Sequence, residues 1–279
     1  ASLSAITASS TPKIAERIVY DNLFVTNPGL GWTLGSAKDI EAFSLENIKK
    51  FHQKLYNPSN LILTISGNQP IDKTMKTVKS CFGGTWGEAG WQAPAYKPRF
   101  KKLGKTIRQK IGKSQSYIIV ANTFEVEDND KSALHILSNL FSDRLAFNLR
   151  EQQGLAYSIG TYFPGFKDAN WYRITLGTRP ENIEKAITGI REEILSIREA
   201  SFNADEVQQS INAALGRRGM RRMDRVSQAY YISMEILDDK SPEADDQFGE
   251  KLKTVTVEDI ERLAPRVFQN DDHLIVIGE

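Results

Sequence analysis

The chain has 279 residues, of which 40% are hydrophobic and 25% charged, with a formal net charge of +1. That length accommodates one large domain or two ordinary ones, with ample apolar material for a core. The near-neutral balance gives no electrostatic drive toward nucleic acid or acidic lipid, and the single cysteine, Cys81, excludes an intrachain disulfide.

Ala1 to Ser10 is small and polar, without the basic start and apolar core of a signal peptide. A helix is expected from Thr11-Pro12, with proline at its first position and Ile14, Ile18, Val19 and Leu23 turned inward. Asn27-Pro28-Gly29-Leu30-Gly31 reads as a loop. Ser44 is a good N-cap for a helix carrying Ile48, Phe51 and Leu55 on one face. A turn at Asn57-Pro58-Ser59-Asn60 and a strand over Leu61 to Ile65 follow, then a helix from about Ile71 to Phe82. Runs such as Leu61 to Ile65 are too short to cross a bilayer, so no membrane span is expected.

Glycines and prolines crowd residues 83–98, which reads as a linker ending in the basic stretch Lys97 to Lys105. Beyond it, Thr106 to Ile111 and Ser116 to Thr123 read as strands, and Lys131 to Arg150 as a long helix. Ala156 to Phe163 and Tyr172 to Leu176 are further strands, with Pro164-Gly165 turning between them. Pro180 opens a helix to about Ala200, and Asn203-Ala204-Asp205 starts another running toward Leu237. A helix capped by Thr256 and a strand over Leu274 to Ile277 close the chain. Strands grouped with long helices point to an α+β fold, helices packed on a sheet.

Residues 44–66 and 256–278 match at a fixed offset of 212: Ser44 with Thr256, Ile48 with Ile260, Phe51 with Leu263, Tyr56 with Phe268, Leu63 with Ile275 and Ile65 with Ile277. Both read as cap, amphipathic helix, turn and strand, which favours a duplication. The second copy extends from about residue 103 to the end, whereas the first has room only for the matching rear part. The expected organisation is therefore 1–95 as the rear of a first domain, truncated at its front, and 96–279 as a complete second one.

Leu149-Arg150-Glu151-Gln152-Gln153-Gly154-Leu155-Ala156-Tyr157-Ser158 closely resembles a motif of the M16 (insulinase/pitrilysin) zinc peptidase family. Ser142-Asp143-Arg144-Leu145 resembles the family's Ser-Arg-Leu turn, with Asp143 in place of Ser. Phe51 to Pro58 and Leu61 to Gly67 resemble the helix and strand that close the family's first domain, and Gly31 to Gly35 with Ile40 resemble the stretch preceding them. The resemblance implies pairs of homologous α/β domains around a chamber. It also implies a zinc site on an inverted His-x-x-Glu-His motif, in which two histidines hold the metal and the glutamate activates a water.

That motif is absent here. The histidines are His52, His135 and His273, no two within a helical turn. His135 is followed by Ser138 and Asn139 where a glutamate and a second histidine would stand, so it reads as a structural helix residue. His52 reads as a partly exposed helix residue and His273 as the start of the last strand. Cys81 reads as a buried helix cysteine, not a nucleophile. No nucleophile elbow, Walker loop or dinucleotide glycine pattern occurs.

What the resemblance does supply is Arg150 and Tyr157, seven apart, matching an Arg and a Tyr that the family uses to hold the substrate backbone and stabilise an oxyanion opposite the zinc. Against that stands the plainer reading, in which Arg150 pairs with Glu151 and Tyr157 is a strand aromatic. Five arginines between Gly216 and Arg225 read as a helix surface or chamber wall rather than a nucleic-acid patch. The expectation is a subunit or fragment with no catalytic or metal residues of its own. It would bind peptide and pair with a homologous zinc-bearing subunit, or self-associate. A structural subunit, or part of a longer peptidase whose metal motif lies upstream, are the other readings. Two-chain family systems point toward a bacterial periplasm.

Overall fold

A computed structural model describes residues 10–25, 37–57, 60–84, 99–164 and 170–279. The elements in order are α1 (Thr11–Leu23), the short α2 (Ala37–Glu41), α3 (Leu45–Leu55), α4 (Ile71–Phe82), β1 (Lys105–Gln109), β2 (Ser116–Thr123), α5 (Lys131–Leu145), β3 (Ser158–Tyr162), β4 (Trp171–Thr178), α6 (Ile183–Arg198), α7 (Ala204–Arg221), α8 (Arg225–Leu237), α9 (Ala244–Lys253), α10 (Val257–Val267) and β5 (Leu274–Gly278). The expected loop at 27–31, the stretch 31–35, most of the glycine-rich linker, Pro58-Ser59 and Gly165 lie outside the described residues.

The chain divides into two compact units, one made of residues 1–37, 96–214 and 252–279, the other of 38–95 and 215–251. The larger unit holds a five-stranded sheet in the order β1-β5-β2-β4-β3. β1 and β5 are parallel, while β5–β2, β2–β4 and β4–β3 are antiparallel. Both faces of the sheet are covered, which is why β2 and β5 are almost unbroken runs of apolar residues and not alternating ones. Ile119, Ala121, Leu274 and Val276 point to α1, which buries Ala15, Val19 and Leu23 against them together with Phe24 and Trp171. The opposite face carries Ile118, Val120, Ile275 and Ile277 toward α5, α6 and α10. Phe268 packs there on Phe141 and Tyr172, with ring centroids 4.7 and 5.3 Å apart.

In α1 the buried row is Thr11, Ala15, Val19 and Leu23, an i, i+4 ridge, with Ile14 and Ile18 half-buried on its flank. Both copies of the repeat form the expected capped helix. Ser44 and Thr256 accept hydrogen bonds from the backbone N–H groups of Asn47 and Asp259, and those side chains accept from the cap residues in return.

Several expectations are corrected. Leu61 to Ile65 is not a ladder strand: among the described residues it pairs with no other segment, and a strand exists only where a neighbour offers hydrogen bonds. The helix expected from Asn203 to Leu237 is broken after Arg221. Asp224 caps a new helix, its side chain accepting 2.8 Å from the Ser227 N–H. Asp224 is held below the usual carboxylate range mainly by the Ser227 hydroxyl. Cys81 is exposed, because α4 buries none of its residues. No helix among the described residues is long and apolar enough to cross a membrane.

Candidate functional site

The Leu149–Ser158 motif is built from the end of a long helix. α5 anchors it by burying Ile136, Leu137, Leu140, Phe141 and Leu145. Beyond Leu145 the helix widens to a π-type turn over Ala146–Gln152, which keeps Leu149 inside while Arg150 faces water. Gly154 then reverses the chain at φ 62°, a conformation that favours glycine. The Leu155 N–H donates to the Leu149 carbonyl at 2.8 Å, and Thr178 Oγ1 donates to the Leu155 carbonyl at 2.6 Å. The Tyr157 N–H donates to the Gly177 carbonyl at 2.8 Å, locking the backbone to the end of β4. Its side chain stands out from this fixed base and is 59% exposed.

Arg150 and Tyr157 are both presented at the surface, but each has another partner. Arg150 Nε donates to Glu151 Oε1 at 2.9 Å. Tyr157 Oη accepts from Arg179 Nε at 2.5 Å, with the guanidinium carbon 5.8 Å from the ring centroid. Among the described residues no hydrogen bond joins Arg150 to Tyr157. The hydrogen bond to Tyr157 pushes the Arg179 guanidinium still further up, so it stays charged. Since Arg179 takes an oxygen lone pair, the Tyr157 hydroxyl proton is left to donate outward. Ser114, Gln115, Pro180 and Glu181 complete a shallow surface hollow around Tyr157 and Arg179.

Arg179 is the residue that sequence reasoning missed. Thr178-Arg179-Pro180 reads as the entrance to a helix. The pairing of β4 with β3, in which Ser158 opposes Gly177, is what brings position 179 to Tyr157.

The zinc that the resemblance implies finds no fitting donor set among the described residues. Nowhere do three His, Cys, Asp or Glu side chains group as metal ligands. His52 stacks on Tyr56 with centroids 4.4 Å apart. His135 is on the exposed side of α5, with Ser138 and Asn139 one turn on. His273 sits buried before β5 with its Nε2 3.1 Å from Tyr172 Oη, and burial pulls its pKa below the usual imidazole value.

The arginine-rich stretch is divided by the helix it lies on. Arg217, Arg221 and Arg225 face solvent. Arg218 and Arg222 converge on Asp245, Arg218 at 2.5 Å, and Arg222 also lies 4.0 Å over the Tyr231 ring. These two serve the packing of α7, α8 and α9.

A sheet covered by helices on both faces, carrying an Arg/Tyr motif of peptidase type at the end of its long helix, defines a peptidase-type domain. The profile of the peptidase M16 inactive domain matches residues 42–214, and the chain belongs to that family. It is 25% identical over 259 residues to an uncharacterized zinc protease of Streptomyces coelicolor, covering 88% of this chain and 56% of that protein. A non-peptidase homolog of Helicobacter pylori is 20% identical over 235 residues, covering 80% of this chain and 54% of that protein. The fold is shared with a peptidase M16 inactive domain from Pseudomonas fluorescens, at a TM-score of 0.85 and 18% identity, over 97% of this chain and 66% of that one. The chain thus spans little more than half the length of these curated relatives.

Proposed function

We propose that this chain is a metal-free, substrate-holding part of an M16-type peptidase, which binds an unstructured peptide and completes an active site whose zinc is held by a homologous partner. The observation that carries this is the presentation of Arg150 and Tyr157 from a rigid base. Both side chains reach solvent, while Leu149, Leu155 and Ala156 between and beside them are buried. A guanidinium and a phenol supply planar, directional donors for peptide carbonyls, and fixed donors lose little freedom when they bind. Glu151 holds Arg150 in the free chain through an exposed pair of small energy, which a peptide carbonyl or carboxylate can replace. Arg179 braces the Tyr157 phenol.

The test is fluorescence anisotropy of a labelled, unstructured peptide with the purified chain. Arg150→Ala and Tyr157→Phe are each expected to weaken binding roughly tenfold, the cost of about one charge-assisted hydrogen bond. Unchanged affinity in both variants contradicts the proposal. A second reading, a structural subunit without a peptidase role, is favoured by the Helicobacter relative named as a non-peptidase homolog. It predicts no peptide binding at all.

A further inference from the structure

The net charge of +1 hides an uneven distribution. Residues 99–113 hold seven lysines and arginines and no aspartate or glutamate, and all seven are exposed. This basic band is built around β1, the outermost strand on one side of the sheet. β3, which follows Tyr157, is the outermost strand on the other side, so the band is separate from the Arg150/Tyr157 motif.

The ladder on the inner side of β1 shows which backbone groups face outward. The Glu279 N–H donates to the Gln109 carbonyl at 3.0 Å, and the Ile111 N–H donates to the Glu279 carbonyl. Backbone groups alternate in direction along a strand, so the odd-numbered residues of β1 turn theirs toward β5. Thr106 and Arg108 therefore present N–H and C=O to the outer edge, where no strand among the described residues pairs with them.

Cations flank this edge on both faces of the sheet. Lys105 lies on the α1 side, its Nζ donating to Asn22 Oδ1 at 2.7 Å. Arg108 lies on the α6 side, paired with Glu279 at 3.1 Å and with Glu184. Asp272 lies against Gly104. The remaining cations are less well balanced. Lys101 Nζ donates to the neutral Asp21 carbonyl at 2.8 Å, and Lys102, Lys110 and Lys113 have no carboxylate partner among the described residues. Lysines on an edge strand guard against unwanted pairing. That task needs charge on β1 itself, whereas this band continues past both of its ends.

The geometry points to β1 as a docking edge for an extended, acidic segment of a partner polypeptide, which adds to the sheet as a further strand. The outward N–H and C=O groups of Thr106 and Arg108 set its register, and its Asp or Glu side chains meet the surplus lysines. A second copy of this chain does not fit, because β1 against β1 sets like charges opposite each other. A nucleic acid or an anionic lipid surface matches the charge but makes no use of the row of backbone groups. Phe100, the band's one aromatic residue, packs on Phe24 and is not free to stack on a base.

The test is fluorescence anisotropy of a labelled, alternating Glu-Val peptide with the purified chain, and amide hydrogen exchange on the complex. Binding is expected to slow the amides of Thr106 and Arg108 at least tenfold. Lys102→Glu, Lys110→Glu and Lys113→Glu together are expected to weaken binding at least tenfold, while amides 274–278, as an internal control for folding, stay unchanged. Two further peptides separate charge from pairing: a Gln-Val peptide of the same length, and the Glu-Val peptide N-methylated at every amide, which keeps its charge and cannot pair. Each is expected to bind at least tenfold more weakly. Equal binding of either control peptide overturns the proposal, as does binding that leaves the amides of Thr106 and Arg108 unslowed. Tighter binding of a single-stranded oligonucleotide or of phosphatidylglycerol vesicles than of the Glu-Val peptide overturns it as well.

Discussion

Asp130 is the best place to put a number on the clasp that ties α10 to the start of α5. Its carboxylate is 11% exposed and takes two hydrogen bonds from Arg262, with Arg266 3.5 Å away. Removing one partner from a fully buried pair costs about 3–5 kcal/mol. Here the arginines are 47% and 42% exposed and rehydrate when released, so Asp130→Ala is expected to cost about 2 kcal/mol. With a slope of about 2–3 kcal/mol/M, that lowers the urea midpoint by roughly 0.7–1 M. Arg262→Met measured alone and with Asp130→Ala completes a double-mutant cycle, with an expected coupling of about 1 kcal/mol. A loss below about 0.5 kcal/mol with no coupling refutes the view that this carboxylate ties α10 to the start of α5.

Three further predictions follow from single residues. Gly154→Ala forces a side chain into the left-handed region and is expected to cost about 1–2 kcal/mol by thermal or urea unfolding. Arg179→Met releases the Tyr157 phenol. Peptide binding should fall severalfold with little change in stability, Arg179→Lys restoring part of it, and an equal loss in both variants would show that fixed geometry is not what Arg179 supplies. His273 is buried and its pKa is depressed from 6.5, so the unfolded chain takes up the proton first. Stability should therefore fall as pH drops below about 6.5 and stop falling, as far as this group is concerned, below its folded pKa. His273→Gln should flatten that slope below about pH 6.5 in urea titrations.

Much of the fold was legible because its signals are local. Ser44 and Thr256 declare their helices by the cap chemistry that the structure shows, and Ile71–Phe82 ends at Gly83 as its breakers suggest. The break between α7 and α8 was hidden because Asp224 sits in a run of strong helix formers, where its cap competes with simple continuation. α9 was missed because Ala244–Lys253 is mostly polar, with few apolar residues to show a period. Leu61 to Ile65 carries strand residues, but pairing depends on neighbours that no local pattern contains. The same limit applies at the site. Arg150 and Tyr157 could be chosen from a motif, whereas Arg179 reaches Tyr157 through sheet register alone.

The most direct measurement is a peptidase assay on a quenched, unstructured peptide with zinc present, using this chain with and without a zinc-bearing M16 partner. The account predicts no turnover by the chain alone, turnover when the two are combined, and a loss of at least tenfold with Arg150→Ala or Tyr157→Phe at unchanged assembly. Turnover by this chain alone, or full activity of the mixture with both residues replaced, contradicts it.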